Sequence, residues 1–166
     1  MIRCVVDTNV PIVANGRPDL NGAPIPAIMC RIAAVQFLQD LFVEGRLVLD
    51  LAGDMQAEYR RHLNPAGQPG VGDRFYQIVL HSAPNLVERV ELPRRADNEY
   101  ASLPQSLIDA GFDPSDRKFA AMARQENIPV YNSTDSDWIE AEFVLAAEAI
   151  EVRHLCGADM SAWFTA

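Results

Sequence analysis

Short apolar runs ending in acids or turns alternate along this chain with longer stretches of helical period. Residues 2–6, IRCVV, form a short apolar run closed by Asp7 and read as a buried strand. Residues 15–26 are rich in Gly, Pro and Asn and read as a loop. Over residues 27–43 apolar side chains recur at Ile28, Ile32, Val35, Leu38, Leu41 and Phe42, which predicts an amphipathic helix capped by Gly45. Residues 46–51, RLVLDL, predict a second strand, and residues 53–63 a helix that stops before Pro65. A flexible loop over 64–72 leads into a helix over 73–81. An alternating third strand follows at 86–92, then a helix within 98–109. Asp113 and Pro114 read as the N-cap and first position of a helix running to Glu126. Strands at 128–132 and 150–155 flank a helix over 137–149. This order predicts a Rossmann-like α/β/α sandwich around a mainly parallel five-stranded sheet, in one domain over residues 1–166.

Composition narrows the class. Hydrophobic residues make up 49% of the 166 and charged residues 22%, as in an ordinary globular protein. The opening residues MIRCVVDTNV hold too short an apolar run for a signal segment, and no stretch reaches the length of a membrane span. The expectation is a cytoplasmic chain without a membrane partner. Cys4, Cys30 and Cys156 lie far apart and are read as buried free thiols, and His62, His81 and His154 have no ligand spacing. A net charge of −9 argues against a general nucleic-acid coat protein. It leaves room for an enzyme whose carboxylates are neutralised by a bound cation.

In parallel sheets the chemistry lies beyond the carboxyl ends of the strands. Asp7 follows the first strand, Glu58 lies on the helix after the second, and Asp135 follows the fourth. Asp116 sits in the first turn of the helix leading into that fourth strand. Each has a plain structural alternative: a turn cap for Asp7, a solvated helix position for Glu58, a capping box for Asp116 and an N-cap for Asp135. Together they predict four carboxylates at one sheet edge. Carboxylates so placed raise one another's pKa, and oxygen donors without Cys or His suit Mg²⁺ or Mn²⁺. Glu140 and Glu142 read as helix-surface residues.

The motifs then become specific. VVDTNV resembles the first motif of the PIN-domain nucleases, AEYRRHL the second, DPSDRKFAAMA the third and YNSTDSDW the fourth, in the family's order. The resemblance implies a Mg²⁺- or Mn²⁺-dependent ribonuclease. By it, Asp7, Glu58, Asp116 and Asp135 are the catalytic and metal-binding acids, Asp137 is an outer candidate, either holding a second metal or only starting a helix, and Thr8, Asn9 and Ser133 are polar supports. It also implies a toxin-type role, with an antitoxin protein and a homodimer as partners. The loop and helix near residues 64–81 stand outside the compact toxin pattern and are read as an insertion. Arg60, Arg61, Arg117 and Lys118 lie near the acids in sequence and are candidate contacts to RNA phosphates, with a solvated, ion-paired helix face as the alternative.

Other phosphate chemistries fit less well. A second Asp two residues after Asp7 is lacking, since that position is Asn9, and there is no Gly-rich run ending in Gly-Lys-Ser/Thr and no G-x-S-x-G. The competing class is a catalytically silent PIN-fold module that binds nucleic acid or protein, whose acids would tolerate amidation.

Overall fold

A computed structural model describes residues 1–16 and 24–165. In chain order the elements are β1 (Arg3–Val6), α1 (Asn9–Asn15), α2 (Ile28–Glu44), β2 (Arg46–Asp50), α3 (Asp54–His62), α4 (Val71–His81) and β3 (Val87–Val90). They continue with α5 (Gln105–Asp109), α6 (Arg117–Glu126), β4 (Val130–Asn132), α7 (Asp137–Glu140), α8 (Glu142–Ala147) and β5 (Val152–His154). A 3-10 turn covers Met160–Ala162.

The five strands form one sheet in the order β3-β2-β1-β4-β5, and every pairing is parallel. Consecutive residues of β1 and β2 are buried without alternation, so helices cover both faces of the centre. The outer strands β3 and β5 are only partly covered, as edges are. This is the predicted parallel α/β architecture. From β1 the chain builds outward through β2 and β3, then returns to place β4 on the other side of β1. The topological switch therefore lies between β1 and β4. Val6 stands opposite Tyr131, and the Asp7 amide donates to Tyr131 O at 3.0 Å, so the end of β1 is locked to β4.

Helix α6 packs on β1, β2 and β4 through Phe119, Ala120, Ala121, Met122 and Ala123, all buried. The run of small side chains lets the helix approach the sheet closely. Tyr59 of α3 is fully buried, sits edge-on to Phe75 of α4, and donates its hydroxyl to Val6 O. Helix α4 is joined to α1: Asn15 and Asp73 exchange side-chain and backbone bonds at 3.0 Å, and Gly72 lies so close to Pro11 O that a Cβ would clash.

Several local readings differ from the structure. The stretch Asn9–Asn15 is a helix, although the apolar spacing does not announce it; Pro11 is in its first turn, where no amide donor is needed. The α6 helix starts at Arg117, because Asp113 instead caps a preceding turn by accepting from Ser115 N and Oγ. The helix expected over 137–149 is split into α7 and α8 at Ala141. In α2 the buried face is Cys30, Ala34, Phe37, Leu38 and Leu41, while Ile28 and Ile32 are exposed. That helix is apolar around most of its girth, so periodicity alone did not select the inner face. The loop expected over 15–26 lies mostly outside the described residues.

The free-thiol expectation holds only for Cys4, which is buried; Cys30 and Cys156 form a disulfide with Cα atoms 4.9 Å apart. Their separation of 126 residues hid the pairing. The start of α2 meets the chain after β5, where Ala27 N donates to Trp163 O at 2.8 Å and Thr165 N to Ile25 O at 2.9 Å.

Candidate metal centre

The ends of β1 and β4 create the centre. Asp7 is the first residue past β1, fully enclosed, and accepts from the Asn9 amide at 3.2 Å. Past β4, Asn132 holds the turn: its Oδ1 accepts from Asp135 N at 3.2 Å and its Nδ2 donates to Asp135 O at 2.9 Å. Asp135 then accepts from the Asp137 amide at 3.0 Å. Asp116 stands immediately before α6 and is buried. Asp7, Asp116 and Asp135 each place a carboxylate oxygen within 4.8 Å of the others. Asp113, Asp116 and Asp137 form an adjoining group by the same measure, sharing Asp116.

Electrostatics here are unfavourable without a cation. Among the described residues, none of Asp7, Asp116 and Asp135 forms an ion pair. Burial, then the charge of Asp135, pushes Asp7 up to about 8. Burial, then Asp7 and Asp135, pushes Asp116 up to about 9. Burial raises Asp135 as well, against the opposing bond from the Asp137 amide. Two buried polar atoms beside the cluster lack a hydrogen bond of ordinary geometry, Thr8 Oγ1 and Trp138 Nε1. The Trp138 indole nevertheless lies near enough to Asp7 to favour its charged form. Three convergent oxygen donors, two buried and one partly buried, without a counter-charge, fit a hard divalent ion such as Mg²⁺ or Mn²⁺.

The supports are distinct in kind. Asn9 Oδ1 accepts from Ser133 Oγ, from Thr134 N at 2.6 Å and from Thr134 Oγ1 at 2.8 Å. It therefore ties the turn after β1 to the turn after β4. Thr8 lies next to Asp7 with its hydroxyl unpartnered. Glu58 stands elsewhere: it belongs to neither carboxylate group, and its Oε2 lies 3.4 Å from Lys118 Nζ and 3.3 Å from Arg61 Nη1. Arg117 donates to Glu99 at 2.9 Å and to Phe112 O at 3.0 Å, and Arg60 is exposed. Glu140 and Glu142 are exposed, as expected.

Three contributors were not singled out from sequence. Asn132 looked like the end of a strand, and Asp113 like a helix cap. Trp138 was only an aromatic after an acid. Its spacing from Asp135 was visible, but that its indole turns back toward Asp7 was not.

The fold and the cluster define an α/β protein with a carboxylate centre at the switch point of a parallel sheet. No protein-family model and no curated protein matches the chain. It is similar to a chain in the crystal structure of VapBC2 from Rickettsia felis bound to a DNA fragment from their promoter. That similarity has a TM-score of 0.49 and 13% identity, over 93% of this chain and 98% of the other. At that level it carries no weight in assigning an activity. No helix among the described residues is long and apolar enough to cross a membrane.

Proposed function

We propose that the chain is a Mg²⁺- or Mn²⁺-dependent nuclease of the PIN type that hydrolyses RNA phosphodiester bonds. The observation that carries this reading is the convergence of Asp7, Asp116 and Asp135 at the β1–β4 switch, without an ion pair to neutralise them. Its assignment to RNA, and to a toxin held by an antitoxin and able to form a homodimer, is supported by the order of the four sequence motifs alone.

Asp7, Asp116 and Asp135 would hold the ion, with Asp137 and Asp113 beside them. A bound ion supplies Lewis acidity to a phosphate oxygen and lowers the pKa of water. The chain's own part is to place the carboxylates. Asn9 fixes the distance between the two strand ends. Asn132 shapes the turn that presents Asp135. Trp138 and the Asn9 amide favour the ionised form of Asp7. Helix α6, packed on three strands, holds Asp116 at its start. No histidine base is needed, and His154, on the edge strand, is held below the ordinary imidazole range by burial.

Calorimetric titration of Mn²⁺ into the wild-type chain and into Asp116→Asn tests the reading. Saturable binding in the first, weakened about tenfold or more in the second, supports the centre. A folded wild-type chain that binds no Mn²⁺ and does not cleave RNA with Mn²⁺ present sinks it, and leaves the silent binding module.

A further inference from the structure

We propose that Lys118 is a built-in cation that bars Glu58 from the metal centre, so that divalent ions enter only on the side of Asp7, Asp116 and Asp135. The proposal rests on the nuclease reading above and deepens it. Lys118 is the second residue of α6, and its side chain is 10% exposed. A lysine so enclosed needs a partner. It has two: Nζ donates to Ser115 O and lies 3.4 Å from Glu58 Oε2, whose side chain is 11% exposed. The ammonium also lies 5.5 Å from the centroid of the Phe119 ring. It is anchored from several directions.

The surroundings make this anchoring chemically specific. Lys118 and Glu58 line an open pocket of about 590 Å³ together with Asp54 and Asp113. Arg94 pairs with Asp54 in the same pocket, and Lys118 is the enclosed cation that faces Glu58. Glu58 is further engaged by Arg61 at 3.3 Å and His62 at 3.5 Å. A divalent ion approaching Glu58 meets a fixed positive charge at the position it would need. Asp7, Asp116 and Asp135 meet no such charge. Lys118 is therefore a positioning residue rather than an RNA-phosphate contact. It decides which of the four sequence-predicted acids are free to take an ion.

The test is the number of Mn²⁺ ions bound per chain, read by calorimetry on chains whose fold is checked by circular dichroism. Glu58→Gln is expected to keep the wild-type number of ions, with affinity within about threefold of wild type. Lys118→Met is expected to bind one ion more than wild type. Lys118→Arg, which keeps the charge, is expected to bind the wild-type number. The additional ion should vanish in the Lys118→Met, Glu58→Gln double variant. An ion lost, or affinity weakened tenfold or more, in Glu58→Gln overturns the proposal. So does a folded Lys118→Met that binds only the wild-type number. Should Lys118→Met not fold, Glu58→Gln decides alone. Absence of Mn²⁺ binding in wild type instead strikes the nuclease reading, and the proposal falls with it.

Discussion

Two acidic regions lie side by side in this molecule and are treated in opposite ways. On α3, every buried or half-buried carboxylate has been given a counter-charge. Asp54 is paired with Arg94 and receives the Tyr100 hydroxyl, and Glu58 is paired with Lys118, Arg61 and His62. At the β1–β4 switch, the buried Asp7 and Asp116 and the partly buried Asp135 converge, and the groups turned toward Asp7 and Asp135 are amides and an indole. Asp50, at the end of β2, shows a third solution. It is buried but accepts from the Asp54 amide at 2.7 Å and the Met55 amide at 2.9 Å, the first free donors of α3. The fold thus has the means to satisfy a buried acid locally. Leaving three without a counter-charge at one point is a property of the site, and it creates an electrostatic demand that a divalent ion would meet.

The comparison is broken most severely by removing one unpaired acid. Asp116→Asn should lower RNA cleavage with Mn²⁺ by on the order of a thousandfold, equivalent to several kcal/mol of lost transition-state stabilisation. Single-turnover cleavage of an RNA pool checks this. Cleavage at the wild-type rate would remove Asp116 from the centre.

The next effect is on pH. Ion binding needs the carboxylates ionised, and Asp7 and Asp116 hold protons up to about 8 and about 9. Mn²⁺ affinity should therefore rise by about tenfold per pH unit from pH 6 toward pH 8, for each proton released on binding. The ion-free chain should behave oppositely. Between the ordinary carboxylate value near 4 and the folded value near 8, the folded protein keeps a proton on Asp7 that the unfolded chain has lost. Stability from this group is full at acid pH and declines as pH rises across that window. Asp54, held low mainly by Arg94 against its burial, and Asp113, held low by Ser115, lose their contribution only below that window. Thermal melts with EDTA and with Mn²⁺ at pH 6 and pH 8 should diverge, with the ion helping more at pH 8. Parallel melts would show that the acids are already compensated.

A smaller effect separates the two regions by sign. Without metal at pH 8, Asp116→Asn should stabilise the chain by about 1–2 kcal/mol, because it removes a carboxyl that the fold must keep protonated well above its ordinary range, a cost the unfolded chain does not bear. Glu58→Gln should destabilise it by about 1–3 kcal/mol, because it strands the enclosed Lys118. Denaturant midpoints measure both. The same sign for the two variants would erase the distinction between the regions.

How much of this was written in the sequence depends on range. The ends of β1, β2 and β4 were legible because apolar runs stop there at acids and turn residues, and parallel order then placed Asp7 and Asp135 at one edge. Asp116 followed from the polar opening of α6. The failures are those of side-chain direction and distant approach. Sequence proximity to the acids gave no sign that Lys118 turns toward Glu58. The spacing of Glu58 on α3 likewise did not show that Lys118 and Arg61 would lie beside it. Cys30 and Cys156 could not be paired, because nothing local says that the start of α2 and the chain after β5 share a corner. Asn9 was read as a support, but not as the clasp that joins two turns 125 residues apart.

The finest distinction is whether the unpaired acids are also oriented by the protein, and Trp138 decides it. Its ring is fully buried and edge-on to Phe112, with centroids 5.1 Å apart and planes at 72°. Trp138→Phe keeps an aromatic in that contact and removes the indole N–H near Asp7, together with part of the buried ring volume. Because that N–H favours the ionised form of Asp7, its loss should raise the pKa of Asp7 and weaken Mn²⁺ binding by roughly threefold to tenfold, at the low end for a residue behind a metal ligand. The loss should be larger at pH 6 than at pH 9, where Asp7 is ionised in either case. A loss equal at both pH values would mean that the ring acts by packing alone, and that Asp7 is held by the amides of Thr8 and Asn9 without help from the indole.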